Sequence, residues 1–135
     1  VEIIITQWAL DAYLDLKHES AFSQKDFEET IRPDVMLLKD FPDHPKFSNG
    51  KFFSPATLDN EVLAQGFKMK WHNLGQRNVQ LRLGIGLGLE DYDCAFLLHA
   101  YVKTDAKFEE RQLVKLKTRL DLVRKGRFIE RGRLK

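Results

Sequence analysis

The chain has 135 residues, 43% hydrophobic and 31% charged, a balance expected of one globular domain with a core that needs no staples. No apolar run approaches the roughly 20 residues of a membrane span, the first residues lack a basic-then-apolar signal, and the single Cys94 cannot pair within the chain, so a cytoplasmic setting is expected. The net charge of +2 hides an asymmetry: Val1 to Glu61 carries 6 Lys/Arg against 12 Asp/Glu, whereas Arg111 to Lys135 carries 10 against 2, which points to a basic end that meets an anion.

In chain order, "VEIII" reads as an opening strand. "TQWALDAYLDLKHES" follows as a helix that Thr6 can cap. Ser23 caps a second helix marked by Phe27, Ile31, Val35 and Leu38, with a kink or break expected at Arg32 because Pro33 lies inside the pattern. Residues 40–60, with three prolines and Asn49-Gly50, read as a loop insertion in which Asn-Gly turns a small hairpin onto "KFF". Strands are expected near Glu61–Trp71, Asn78–Leu89 and Cys94–Lys103, joined by turns at Gly75 and at "EDYD", where Glu90, Asp91 and Asp93 read as a solvated turn. A last helix starts at Thr104 or Asp105, carries Leu113, Leu116, Leu120 and Val123 on one stripe, and stops at Gly126. Residues 125–135 read as a basic tail too short to fold alone. The order β-α-α-β-β-β-α gives a single α+β domain with a mainly antiparallel sheet of about four strands.

The chemistry lies in "GFKMKWHNLGQRNVQLRLGIG". Alternation puts Phe67, Met69 and Trp71 on one face and Lys68, Lys70 and His72 on the other, with Arg82 on the neighbouring strand. A solvated face has the same pattern. Two lysines and an arginine on adjacent strands also match a phosphate, through the flat guanidinium fork and two point charges. RNA can be cut by its own 2′-hydroxyl if a site removes that proton, stabilises the charge on phosphorus and protonates the leaving oxygen. A lysine crowded by cations loses its proton more readily and can act as base, and a histidine can serve either way. His99, in an apolar strand, reads as a hydrogen-bonded, semi-buried group; Tyr101 and Lys103 share its face. Gly84, Gly86 and Gly88 form no phosphate loop and read as room for a helix or a close backbone. Cys94 reads as an inert thiol. The four histidines lack metal-ligand spacing, and no cofactor is expected.

"GFKMKWHNLGQRNVQLRLGIG", followed by an acidic turn and "AFLLHAYVKTDAKFEERQLVKLKTRL", resembles the RelE/ParE/HigB superfamily of bacterial toxins. The phrase Leu97-Leu98-His99-Ala100-Tyr101-Val102-Lys103 stands where that family ends its last strand, and Arg111 to Arg119 falls in its following helix. The resemblance is detailed over Gly66–Arg124 and holds in outline over Val1–Leu38. It implies the toxin of a type II toxin–antitoxin pair, whose partners are an antitoxin protein and RNA, including messenger RNA on the ribosome. It implies an endoribonuclease in which Lys68 is the base and Lys70 and Arg82 hold the phosphate, with Arg77 as the alternative arginine. His72 or Tyr101 would replace the late tyrosine or histidine that such chains often carry. Tyr101, Lys103, Lys107, Arg119 and Arg124, with Arg77, would contact RNA. The missing late tyrosine leaves a second reading, a ParE-like or inactive relative that binds a protein such as DNA gyrase; a separate third is a module for a small apolar ligand lined by the glycine-bearing strand.

Overall fold

A computed structural model describes residues 1–89 and 93–135. The expected turn cluster at Glu90 and Asp91 lies outside the described residues, whereas Asp93 is exposed. Strand β1 (Glu2–Thr6) runs directly into α1 (Gln7–His18). The Thr6 hydroxyl makes that junction: it accepts from the Ala9 amide at 3.3 Å and donates to the Leu97 carbonyl at 2.7 Å. Ser23 and Asp26 form a reciprocal capping box on α2 (Gln24–Asp26), which continues as a π-turn (Phe27–Ile31) into α3 (Arg32–Met36). The break expected at Arg32 is this π-turn, closed by the Arg32 amide bonding to the Phe27 carbonyl. Pro33 follows directly, and the wider π-turn just before it is where the helix absorbs a residue that cannot donate to the preceding turn.

Strands β2 (Phe53–Leu58), β3 (Glu61–Leu74), β4 (Val79–Leu87) and β5 (Cys94–Val102), helix α4 (Ala106–Arg124) and strand β6 (Glu130–Leu134) complete the chain. The sheet has six strands in the order β2-β3-β4-β5-β1-β6. The α+β class stands, but the expected four-stranded antiparallel sheet does not: β1 pairs parallel to β5, and an extra strand borders each edge. Residues 40–60 are therefore no simple loop. Asn49 turns the chain through its carbonyl, which accepts from the Phe52 and Phe53 amides, and the hairpin is instead β2–β3, turned by Asp59-Asn60 with both φ positive. Phe41, Phe47, Phe53 and Phe67 pack ring against ring beneath it. Nor is the basic tail loose. Gly126 (φ +70°) ends α4 with the Arg127 amide bonded back to Leu122, and β6 then pairs antiparallel with β1.

Helices cover both faces. Met69, Trp71, Leu81, Leu83 and Ile85 pack with Ala9 and Leu16 of α1 and with Ile31 and Val35. On the other face Leu113, Leu116, Leu120 and Val123 of α4 pack on Ile4, Phe96 and Leu98. The lysine-bearing face is thus covered by α4 over Lys68 and Arg82 and open at His72, and the glycines explain how the helix comes so close. A Cβ on Gly84 would lie 2.9 Å from Leu116 Cδ1, and on Gly66 2.8 Å from Leu120 Cδ1. Gly84→Val is expected to cost about 2–3 kcal/mol by overpacking. Gly50→Ala, with open space at its Cβ, should stay within about 0.5 kcal/mol. Urea unfolding of the two variants checks this.

Candidate functional site: a cation cluster closed by a carboxylate

The register of the central strands aligns two rows on the α4 face. Lys70 of β3 faces Arg82 of β4, which faces Tyr101 of β5; Lys68, Gly84 and His99 form the next row. Lys68, Lys70 and Arg82 therefore converge, as strand alternation and pairing require. Arg82 is buried, 5% exposed, and its Nη1 donates to the carbonyls of Trp71 and Leu81 at 3.2 and 3.1 Å. Lys70 Nζ donates to the Gly50 carbonyl at 2.5 Å and to Ser54 Oγ at 2.9 Å, so the 40–60 segment supplies one wall.

The centre of the cluster holds a group from α4. Glu109 Oε2 accepts from the Tyr101 hydroxyl at 2.8 Å and lies 3.6 Å from Lys68 Nζ, while Oε1 lies 3.9 Å from Lys103 Nζ. Burial works to raise the Glu109 pKa, but the Tyr101 hydrogen bond and the charges of Lys68, Lys103 and Arg82 outweigh it, and the carboxyl falls below its ordinary 4.5. Burial, then the Glu109 bond, pushes the Tyr101 hydroxyl well above its ordinary range. Lys70 moves the other way for a lysine: burial first, then Lys68 and Arg82, lower its pKa. This favours Lys70 over Lys68 as a base, since Lys68 leans on Glu109.

The remaining candidates scatter. His72, one step beyond Lys70 on the same face, is exposed, with Nδ1 3.0 Å from Gln80 Oε1 and Nε2 2.6 Å from the Lys51 carbonyl. Arg77, in the β3–β4 turn, bonds the Ser20 carbonyl, away from the cluster. Lys103 and Lys107 are exposed where an anion could reach them. Arg119 and Arg124, expected to track RNA, are used internally. Arg119 donates to the Leu98 carbonyl at 3.0 Å and lies over the Trp8 ring; Arg124 pairs with Asp121 of its own helix and ties α4 to Ala64 and Gln65 of β3. Cys94 is half-buried, and burial raises its thiol.

Sequence reasoning missed Glu109 and Gln112. Both sit on the apolar stripe of α4, Glu109 four residues before Leu113 and seven before Leu116, and a polar residue on a buried stripe was the available signal. Gln112 Oε1 lies 2.7 Å from His99 Nε2, which must then carry the ring hydrogen. His99 is 6% exposed, and its Nδ1 has no partner among the described residues. Burial, aided by Arg119 and Lys115 and opposed by the Gln112 bond, pushes His99 down to about 4.

Among the described residues no cluster of His, Cys, Asp and Glu could hold a metal ion, and no helix is long and apolar enough to cross a membrane. No protein-family model matches the chain, and no similar protein emerged among curated sequences or solved structures.

Two outcomes follow from this electrostatic arrangement. His99 is neutral when folded, so its contribution is complete above the ordinary 6.5 and is lost as pH falls from 6.5 towards 4. The full loss is about 3 kcal/mol, and His99→Gln should flatten unfolding stability between pH 6.5 and about 5. Glu109 contributes above 4.5 and loses that contribution as pH falls through its lower folded value. At neutral pH Glu109→Gln should cost about 1–3 kcal/mol. Sulfate should then raise the melting temperature of this variant more than that of the wild type, because the cations regain an anion.

Proposed function

We propose that this protein is a toxin of the RelE/ParE/HigB kind that cuts RNA by attack of the 2′-hydroxyl on the adjacent phosphorus. The observation that carries the reading is the convergence of Lys68, Lys70, Arg82 and Lys103 around one carboxylate. Lys68 and Lys103 pair with Glu109 while Arg82 and Lys70 act on it through charge, and the same field would favour a phosphate in its place. In this reading Lys70, whose ammonium is disfavoured by burial and by its cationic neighbours, accepts the 2′-hydroxyl proton in its neutral form. Lys68 and Arg82 stabilise the charge gained on phosphorus. His72 gives a proton to the departing 5′-oxygen, leaving a 2′,3′-cyclic phosphate and a free 5′-hydroxyl. Glu109 must yield its place to the phosphate, so RNA binding and the docking of the first turn of α4 are coupled. An antitoxin protein would be the partner that silences the site.

The burial of Arg82 and the internal neutralisation by Glu109 favour a second reading, in which the cluster is a structural ion network and the toxin acts by binding a protein such as DNA gyrase. Incubation of purified protein with RNA in EDTA, with and without ribosomes, separates the two. RNA cleavage should fall about 100-fold or more in Lys70→Ala and in Lys68→Ala/Arg82→Ala, with folding checked by circular dichroism. Transcripts left whole under every condition, together with growth arrest undiminished in the double variant, would sink the nuclease reading. Recovery of a stoichiometric target protein would then support the second.

A further inference from the structure

The Lys70 amine is held unlike that of a lysine in an ion pair. Its Nζ donates to the Gly50 carbonyl at 2.5 Å and to Ser54 Oγ at 2.9 Å, and among the described residues no carboxylate lies within pairing distance of it. A tetrahedral nitrogen with two acceptors in place has one position left. In the ammonium that position carries a third N–H, for which the described residues supply no acceptor. In the neutral amine it carries the lone pair, and both remaining N–H groups are already used. The wall built by residues 50–54 therefore suits the amine without leaving a donor unmet.

The strands add positive charge around this nitrogen. Lys68 precedes it on the same face of β3, Arg82 stands directly opposite on β4, and Lys103 follows the end of β5. Burial, then Lys68 and Arg82, lower the Lys70 pKa against the opposing charge of Glu109. Lys70 is only half-buried, so part of the side chain stays open to a reagent. An amine freed of its proton beside other cations is a nucleophile. Lys68 and Lys103 hold Glu109 loosely, at 3.6 and 3.9 Å, and a doubly charged phosphoryl group competes well for both.

We infer that Lys70 is a site of covalent acylation by small acyl phosphates, whose phosphoryl group is held by Lys68 and Lys103. The Lys70 lone pair attacks the acyl carbon, and the bond from that carbon to the bridging oxygen breaks. Its electron pair leaves on inorganic phosphate, and the surplus proton on nitrogen passes to solvent. The product amide is uncharged and no longer basic. The inference rests on the surroundings of one amine and stands whether or not the site cuts RNA; in a nuclease, acylation would remove the base.

The probe is acetyl phosphate, with acetic anhydride as its uncharged counterpart, and peptide mapping by mass spectrometry reads the initial rate at each lysine. Near neutral pH acetyl phosphate should modify Lys70 about tenfold faster than the exposed Lys17, Lys25 and Lys125. Acetic anhydride should show a smaller lead, and sulfate should slow Lys70 with acetyl phosphate only. Glu109→Gln should raise the Lys70 rate with acetyl phosphate, because it removes both the competing anion and the charge that steadies the ammonium. If that variant does not fold, sulfate competition in the wild type decides alone. Lys70 modified no faster than the exposed lysines would overturn the proposal. So would faster modification of Lys68 or Lys103, a lead equal for both reagents and unmoved by sulfate, or a folded Glu109→Gln variant that reacts more slowly.

Discussion

The fold rests on how closely α4 approaches the sheet. Gly66, Gly84 and Gly86 remove three side chains from one face of β3 and β4, and Leu116 and Leu120 occupy the vacated space. With those leucines seated against backbone, the first turns of α4 come low enough for Glu109 to reach Lys68 and Tyr101 and for Gln112 to reach His99. A bulkier strand would lift the helix by the thickness of a side chain, and these polar contacts would open to water. Packing thus sets the electrostatics, rather than the reverse.

The cluster that results is poised between two uses. Several like charges under a helix are costly to desolvate, and a single carboxylate among them offsets much of that cost. Removing one partner of such a network is more damaging than never having built it, because the others are left buried and uncompensated. The same arithmetic makes the slot attractive to any external anion able to take the carboxylate's place. Lys70 sits at the edge of this balance: burial, then Lys68 and Arg82, loosen its proton against the opposing charge of Glu109, while its contacts to Gly50 and Ser54 are with neutral groups.

The two faces of the sheet divide the labour. One carries charge and is thinned by glycine so that a helix can close on it. The other is mainly apolar and is packed by helices whose path includes a π-turn beside a cavity of about 220 Å³.

Periodicity and capping chemistry made much of the scaffold legible. Thr6, Ser23 and Asp105 cap the helices they precede, and Gly126 ends the last one. The alternation through Lys68, Met69, Lys70 and Trp71 assigned each side chain to its face, and Gly84 and Gly86 announced a close approach, whereas Gly88, with φ +68° and open space at its Cβ position, serves the backbone conformation instead. These signals are local, fixed by neighbours within a turn or a pleat. Tertiary structure alone decided what lay across each face. The pairing of β6 with β1, the parallel register of β1 on β5, and the seat of Glu109 among lysines up to 41 residues away in the chain depend on distant segments meeting. No local pattern encodes such meetings, which is why a face that reads as solvent-bathed from its lysines is in fact the underside of a helix.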